Sequence, residues 1–360
     1  MFRSFMVKNF RCFGDLQLPD LARVNLIAGK NNVGKTSLLE ALFLLLGPDN
    51  PDLPMRLNAL RGLQWFEAVP TETWGWLFLK KETQETIEIS GLHENGQRRA
   101  LRIRLSEPQA APLPPLGNGR GAAAQAVGSV TTAVGARELV LEYQEGKGES
   151  VVSRASLVAE GQELKVKLSR PPISGLPLGI YLTSALHFAQ DNADRFSKLQ
   201  EVGREHELLG PLQVLEPRLQ RLVVSAAGLG PPIIQGDIGM GRLVPLPFMG
   251  DGMGRLLSYL LAIASAPAGT VLIDEIENGL HYSVLPKVWK AIGDFARGET
   301  QVLATTHSWE CIRAAHEAFA ASGGHDFALH RLDRVGDGIE AVTFTQEMLA
   351  TADTAGLEVR

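Results

Sequence analysis

Apolar residues follow two rhythms along the chain, and the change between them marks its organisation. Residues 2–10 (FRSFMVKNF) and 24–28 (VNLIA) read as strands, with a turn region carrying Gly14, Asp15 and Pro19 between them. Residues 37–46 form an apolar run of helical length, stopped by Gly47-Pro48. From about 75 to 170 the pattern becomes period-two alternation. Residues 86–106 predict a hairpin around Glu94-Asn95-Gly96, and residues 138–169 predict further strands with glycine-bearing turns. The Ala-, Gly- and Pro-rich stretch between them predicts a mobile loop over about 107–137.

Residues 191–223 return to helical composition with scattered charge, broken at Gly210-Pro211 and Pro217. They hold no sustained heptad, so no long coiled-coil arm is expected. A hairpin-like stretch, IIQGDIGMGRLVPL, precedes a glycine cluster at 250–254. A helix over 255–265, a strand over 270–274, a helix over 283–296 and a strand over 301–305 follow. There is no internal repeat.

Composition narrows the function classes. The 360 residues suffice for one large domain or two ordinary ones, and 45% hydrophobic against 21% charged residues describes a soluble globular protein. Lys and Arg total 35 against 40 acids, a net charge of -5 that argues against a constitutive nucleic-acid binder. A local basic groove stays open, so nucleic acid remains a possible partner. Cys12 and Cys311 make neither a disulfide framework nor a metal site, which suits a reduced, cytoplasmic setting. The N-terminus has no signal-like apolar core, and runs such as 42–46 and 256–264 fall short of the roughly 20 residues that span a bilayer. No membrane segment is expected.

The candidate chemistry begins at VLIDEIENGLH, residues 271–281. An apolar strand runs straight into Asp274, Glu275 and Glu277. Ionised carboxylates at a core edge are costly without cations to pair or chemistry to perform. Their counterpart is GKNNVGKT, made of Gly29, Lys30, Asn31, Asn32, Val33, Gly34, Lys35 and Thr36, with Ser37 opening the apolar helix. It matches G-x-x-x-x-G-K-[ST] between a strand and a helix, the context that gives the motif its meaning. The glycines let backbone N–H groups turn toward phosphate oxygens, aided by the helix N-terminus. Lys35 is expected at the β- and γ-phosphates of ATP and Thr36 on Mg²⁺. In P-loop nucleotidases the second site is an acid at the end of a neighbouring apolar strand. Asp274 fits the Mg²⁺ position, and Glu275 fits a general base that polarises the attacking water. Otherwise the strand simply ends in surface acids. No NKxD-like guanine reader occurs, and nucleotide kinases seldom carry an Asp-Glu pair at this strand end.

MVKNFRCFGDL (6–16), GKNNVGKTSLLEAL (29–42), LPFMGDGMGRLL (246–257), VLIDEIENGLHYSVL (271–285) and ATTHSWECI (304–312), with the ending GLEVR, resemble the SMC/RecF/OLD-type branch of ABC ATPases. The likeness is strongest to standalone bacterial AAA family ATPases related to the ATPase half of OLD nucleases, without the TOPRIM domain. The resemblance implies an α/β P-loop fold of ABC type with an antiparallel β subdomain and a short helical subdomain. Three regions are expected: an N-terminal ATPase lobe over 1–182, a helical subdomain with the signature loop over 183–267, and a C-terminal lobe over 268–360.

By the same resemblance, Arg11 lies near the nucleotide phosphates, although it also suits an ordinary strand-end arginine. Residues 277–281 form the loop that meets a dimer partner. His307 is the switch histidine that senses γ-phosphate, where a lone histidine is otherwise structural. Gly250 and Gly252 belong to the signature loop, which caps ATP held by a partner; the plainer alternative is a glycine corner between strand and helix. The signature serine is missing, since positions 245–255 contain no hydroxyl side chain. Gln190 is the one candidate for the glutamine that couples Mg²⁺ to the helical lobe. The expectation is an Mg-dependent ATPase in a head-to-tail homodimer, controlling a separately encoded nuclease or other effector in anti-phage defence or DNA repair. A nucleotide-dependent binding switch with little turnover is the alternative.

Overall fold

Strand Val24–Ala28 is buried at every position. A strand reaches that state when layers cover both faces of its sheet. In the computed structural model it lies inside a six-stranded sheet. The order is Gly179–Leu182, Thr270–Ile273, Gln301–Thr305, Val24–Ala28, Phe327–Val335 and Gly338–Phe344. The first five strands are parallel and the last is antiparallel. Side-chain alternation assigns the two faces. Leu26, Val271, Ile273, Val302 and Ala304 join a core with helices Asp251–Ala264, Leu285–Ala296 and Trp309–Ala320. Ile27, Leu272 and Leu303 join a second core with helix Lys35–Leu46 and the antiparallel layer beyond it.

That layer is an eight-stranded sheet ordered Phe13–Leu18, Phe2–Phe10, Ile87–His93, Arg98–Ser106, Glu138–Glu145, Val151–Glu160 and Thr132–Ala133, with Glu163–Ser169 also pairing Val151–Glu160. The described residues are 1–63, 69–107, 132–133, 137–160, 163–183, 189–225, 231–321 and 326–354. Most of the loop expected over about 107–137, and all of the ending GLEVR, lie outside them. Among the described residues no helix is long and apolar enough to cross a membrane.

Three readings change. The turn region at Gly14 and Asp15 is a strand that pairs with Phe2–Phe10. Phe13, Leu16 and Leu18 bury, Asp15 faces outward to Lys8 at 3.1 Å, and the reversal sits at Arg11-Cys12, with Arg11 at φ 51°. Helical composition does not run to 223, because Arg221–Ser225 pairs antiparallel with Ile233–Asp237. The last helix before it, Leu209–Gln213, already ends ahead of Pro217, and Val223-Val224 favours the sheet. Finally, the acidic strand Thr270–Ile273 does not neighbour Val24–Ala28, since Gln301–Thr305 lies between them. Parallel order still carries all three C-terminal ends to one sheet edge, where open α/β sheets hold ligands.

Candidate active site

The loop from Gly29 to Gly34 leaves the central strand and opens helix Lys35–Leu46. Gly34 adopts φ 90°, and a Cβ there would fall 2.7 Å from Cys12 Sγ. Only glycine closes this turn against the hairpin tip. Lys30, Asn31 and Asn32 are exposed and Val33 is buried. The Asn32 carbonyl accepts from Arg334 at 3.1 Å, which ties the loop to the C-terminal hairpin. Lys35 folds back over the loop, donating to the Gly29 carbonyl at 2.7 Å and the Lys30 carbonyl at 2.9 Å. Burial lowers the Lys35 pKa, against the pull of Glu277, Asp274 and Glu275.

The strand ends then close a chain of hydrogen bonds. The Thr36 hydroxyl donates to Asp274 Oδ2 at 2.9 Å, and the Thr305 hydroxyl donates to Asp274 Oδ1 at 2.6 Å. Thr305 also accepts from the Glu275 N–H at 2.8 Å. One hydroxyl from the intervening strand thus fixes both acids. Burial pushes the Asp274 carboxyl up, while the Thr305 and Thr36 hydroxyls hold it down. Glu275 sits at φ 51°, a left-handed conformation that a non-glycine residue keeps only where its surroundings impose it. Asn278 donates to Glu275 Oε2 at 2.7 Å.

Among the described residues no three His, Cys, Asp or Glu side chains gather as a metal cage. The hydroxyl–carboxylate pair of Thr36 and Asp274 suits Mg²⁺ nonetheless. Mg²⁺ binds through one or two protein oxygens and keeps its remaining positions for water and substrate phosphate.

His307 follows the intervening strand. Its backbone N–H donates to Glu277 Oε1 at 2.9 Å, and its Nδ1 lies 3.1 Å from the same oxygen. Glu277 is only 10% exposed, and among the described residues its Oε2 has no hydrogen-bond partner. A carboxylate against Nδ1 fixes the orientation of an imidazole.

Gly250 stands at the N-cap of helix Asp251–Ala264 with φ 102° and ψ 149°. A Cβ on Gly252 would lie 2.8 Å from the Gly279 carbonyl, so this helix start abuts residues 277–281 of its own chain. The Tyr259 hydroxyl donates to the Ile276 carbonyl at 3.3 Å and ties the same helix to the acidic segment. Phe248, just ahead of the helix, is 82% exposed, and Tyr282, just after residues 277–281, is 63% exposed.

One expected residue, Arg11, falls elsewhere, and the side chain of another, Gln190, is not described. Arg11 does not extend to the phosphate loop. Its Nε lies 2.6 Å from Glu40 Oε2, and its Nη2 donates to Asn58 at 3.2 Å. Arg61 grips the same Glu40 with Nε at 2.7 Å and Nη2 at 3.0 Å, and also donates to Ser37 at 3.1 Å. The buried carboxylate on the P-loop helix is a stronger attractor than the exposed loop. Gln190 lies in the first turn of helix Ala189–Glu201, and its side chain is outside the described residues. Sequence reasoning missed Thr305, Asn278, Glu40 and Arg61. Only Glu40 carried a signal, as an acid inside the apolar run SLLEALFLLL.

Comparisons with known proteins agree with this geometry. Over 330 residues the chain is 27% identical to a Helicobacter pylori protein named ATP/GTP phosphatase, spanning 87% of this chain and 86% of that one. A stretch of 53 residues is 45% identical to an OLD nuclease of Thermus scotoductus, but it spans 15% of this chain and 10% of the nuclease. That match speaks for the shared stretch alone. Among solved structures, an SMC head bound to the C-terminal winged-helix domain of ScpA superposes with TM-score 0.50 at 12% identity. It covers 97% of this chain and 99% of its own, which shows the SMC-head, ABC-type fold. Residues 24–312 match the family model described as "AAA domain, putative AbiEii toxin, Type IV TA system", and the chain belongs to this family of ATPases.

Proposed function

We propose that this ATPase hydrolyses Mg-ATP at composite sites in a head-to-tail homodimer, and that the cycle gates a separately encoded effector in anti-phage defence or DNA repair. The observation that carries the hydrolytic part is the chain Thr36–Asp274–Thr305–Glu275, which joins the P-loop to a candidate base through one buried threonine.

In this reading Lys35 exchanges the Gly29 and Lys30 carbonyls for β- and γ-phosphate oxygens, while Gly29 to Gly34 and Ser37 shape the cradle. Thr36 and Asp274 would hold Mg²⁺, with Gln190 a further candidate. When bound, the ion supplies charge neutralisation on the phosphates. Glu275, held by Asn278, orients the attacking water and takes its proton as the new O–P bond forms and ADP leaves. His307, oriented by Glu277, would sense the γ-phosphate. Arg11 acts indirectly, by bracing the P-loop helix through Glu40.

Pairing of two chains is supported by one P-loop and one signature helix per chain, and by exposed Phe248 and Tyr282 flanking that helix and residues 277–281. Backbone N–H groups at Gly250 and Gly252 would cap a partner's ATP. The effector is supported by resemblance alone. A relative is named for nuclease activity, and the SMC head of similar fold was solved with a bound protein domain. Cytoplasmic residence belongs to the same reading.

A single comparison tests the roles. Lys35→Ala is expected to lose ATP binding by about 10- to 100-fold, the worth of a charged hydrogen bond. Glu275→Gln is expected to keep ATP affinity while phosphate release falls by about 10²–10⁴. Normal release by Glu275→Gln removes the base assignment.

The second reading, a nucleotide-dependent switch with little turnover, draws on Gly250. Its backbone stands where a hydroxyl residue is strained, so the signature helix caps without a serine.

A further inference from the structure

Gly179–Leu182 is the edge strand of the six-stranded sheet. Its ladder to Thr270–Ile273 uses alternate residues, with the Leu178 carbonyl accepting from Thr270 N–H and the Leu182 carbonyl from Asp274 N–H, each at 2.9 Å. In a parallel ladder the intervening residues aim their N–H and C=O groups the other way. Gly179, Tyr181 and Thr183 therefore present backbone groups outward, and among the described residues these groups have no hydrogen-bond partner. Natural edges are blunted by proline, inward-pointing charge or a covering element. The sequence GIYL carries neither proline nor charge.

The same edge borders a cavity of about 920 Å³. Phe43, Leu53 and Leu199 supply apolar floor, and Leu178 and Val202 form an apolar rim that is 52% and 66% exposed. Four cations, Arg56, Arg195, Lys198 and Arg204, line it against one acid, Asp191. Three of them have nearby acids: Arg56 with Asp52 at 2.6 Å, Arg204 with Glu207 at 2.8 Å and Arg195 with Asp191 at 3.7 Å. Each of these pairs keeps at least one partner half or more exposed, and such pairs are weak and exchangeable. Lys198 has no ion pair among the described residues, so the face stays net positive.

We infer that this edge receives an extended acidic and apolar segment of a partner protein by β-strand addition. The open N–H and C=O groups select an extended backbone, and its apolar and acidic side chains meet the apolar floor and the cations that line the one cavity. A second copy of this chain fits worse, because edge-to-edge pairing would set the same four cations against themselves. The position also reaches the candidate site, since Leu182 holds the backbone of Asp274.

The test uses the full chain without nucleotide, so its outcome is independent of whether ATP is hydrolysed. The probe is a fluorescein-labelled heptapeptide alternating Glu with Val and Ile, compared with its Lys counterpart by anisotropy. The acidic peptide is expected to bind saturably, at least about 10-fold tighter than the basic one, and to slow hydrogen exchange at Gly179, Tyr181 and Thr183. Thr183→Pro, which removes one outward donor, should abolish binding. Lys198→Glu, on the exposed helix face, should weaken it by about 10-fold with an unchanged melting temperature. No binding, equal binding of both peptides, or self-association that Thr183→Pro abolishes overturns the inference.

Discussion

The Thr305 hydroxyl donates to Asp274 across 2.6 Å while accepting the Glu275 N–H at 2.8 Å. A single side chain from the strand between P-loop and acidic strands therefore sets the position of both carboxylates. Thr305→Val keeps the shape but leaves the Glu275 amide without its acceptor, a loss of about 1–3 kcal/mol at a buried group. We expect phosphate release to fall by about 10- to 100-fold, with ATP affinity changed by less than about 3-fold. Parallel titration and phosphate-release assays check the split.

Glu40 is 2% exposed and serves two arginines, with Arg11 itself only 10% exposed. Glu40→Ala leaves Arg11 buried without its counter-charge, and breaking a buried pair in this way costs about 3–5 kcal/mol. The expected result is a large drop in the urea midpoint. Arg61→Ala, which removes the more exposed partner, should cost less. Equal stability of Glu40→Ala and wild type contradicts the brace.

At the N-cap of helix Asp251–Ala264, Gly250→Ser puts a hydroxyl into the proposed capping loop in a backbone conformation that serine avoids. Strain of about 1–3 kcal/mol should appear as a lower melting temperature, with no gain in turnover. Faster phosphate release in this variant would show that capping is limited by the missing hydroxyl.

Acid should weaken the fold through His330. The ring is fully buried between Asn25 and Thr343, and burial lowers its pKa to about 4 from 6.5. Between these values the unfolded chain takes up a proton that the folded chain refuses. Stability from this residue is thus full above pH 6.5 and declines as pH falls through 6.5 toward 4, by roughly 3 kcal/mol in total. His93, also lowered to about 4, acts in the same direction. Urea midpoints measured from pH 7 to pH 4 should fall steeply in wild type and less so in His330→Gln.

The ABC-type fold could be read from the chain because GKNNVGKT and VLIDEIENGLH each bring strand, turn and chemistry in one local pattern. Strand order could not. Gln301–Thr305 has the same apolar signature as its neighbours, and only long-range pairing inserts it between them. Thr305 was overlooked for that reason, since its role depends on the insertion. Gly14 and Asp15 looked like a turn because those residue types favour turns, yet burial of Phe13, Leu16 and Leu18 decides for a strand. Arg11 carried a family resemblance that pointed to phosphate, while Glu40, 29 positions away in the chain, claims its charge in the fold.

The central claim is a composite site that two chains complete around ATP. Light scattering on size-separated Glu275→Gln with Mg-ATP measures it directly, with phosphate release recorded on the same samples and on wild type. We expect ATP to raise the molar mass of the variant to about twice the 39.0 kDa of one chain, with phosphate released by wild type alone. A wild-type chain that stays at 39.0 kDa while it turns over ATP contradicts the composite site. A chain that binds ATP yet neither pairs nor turns over leaves the switch reading in its place.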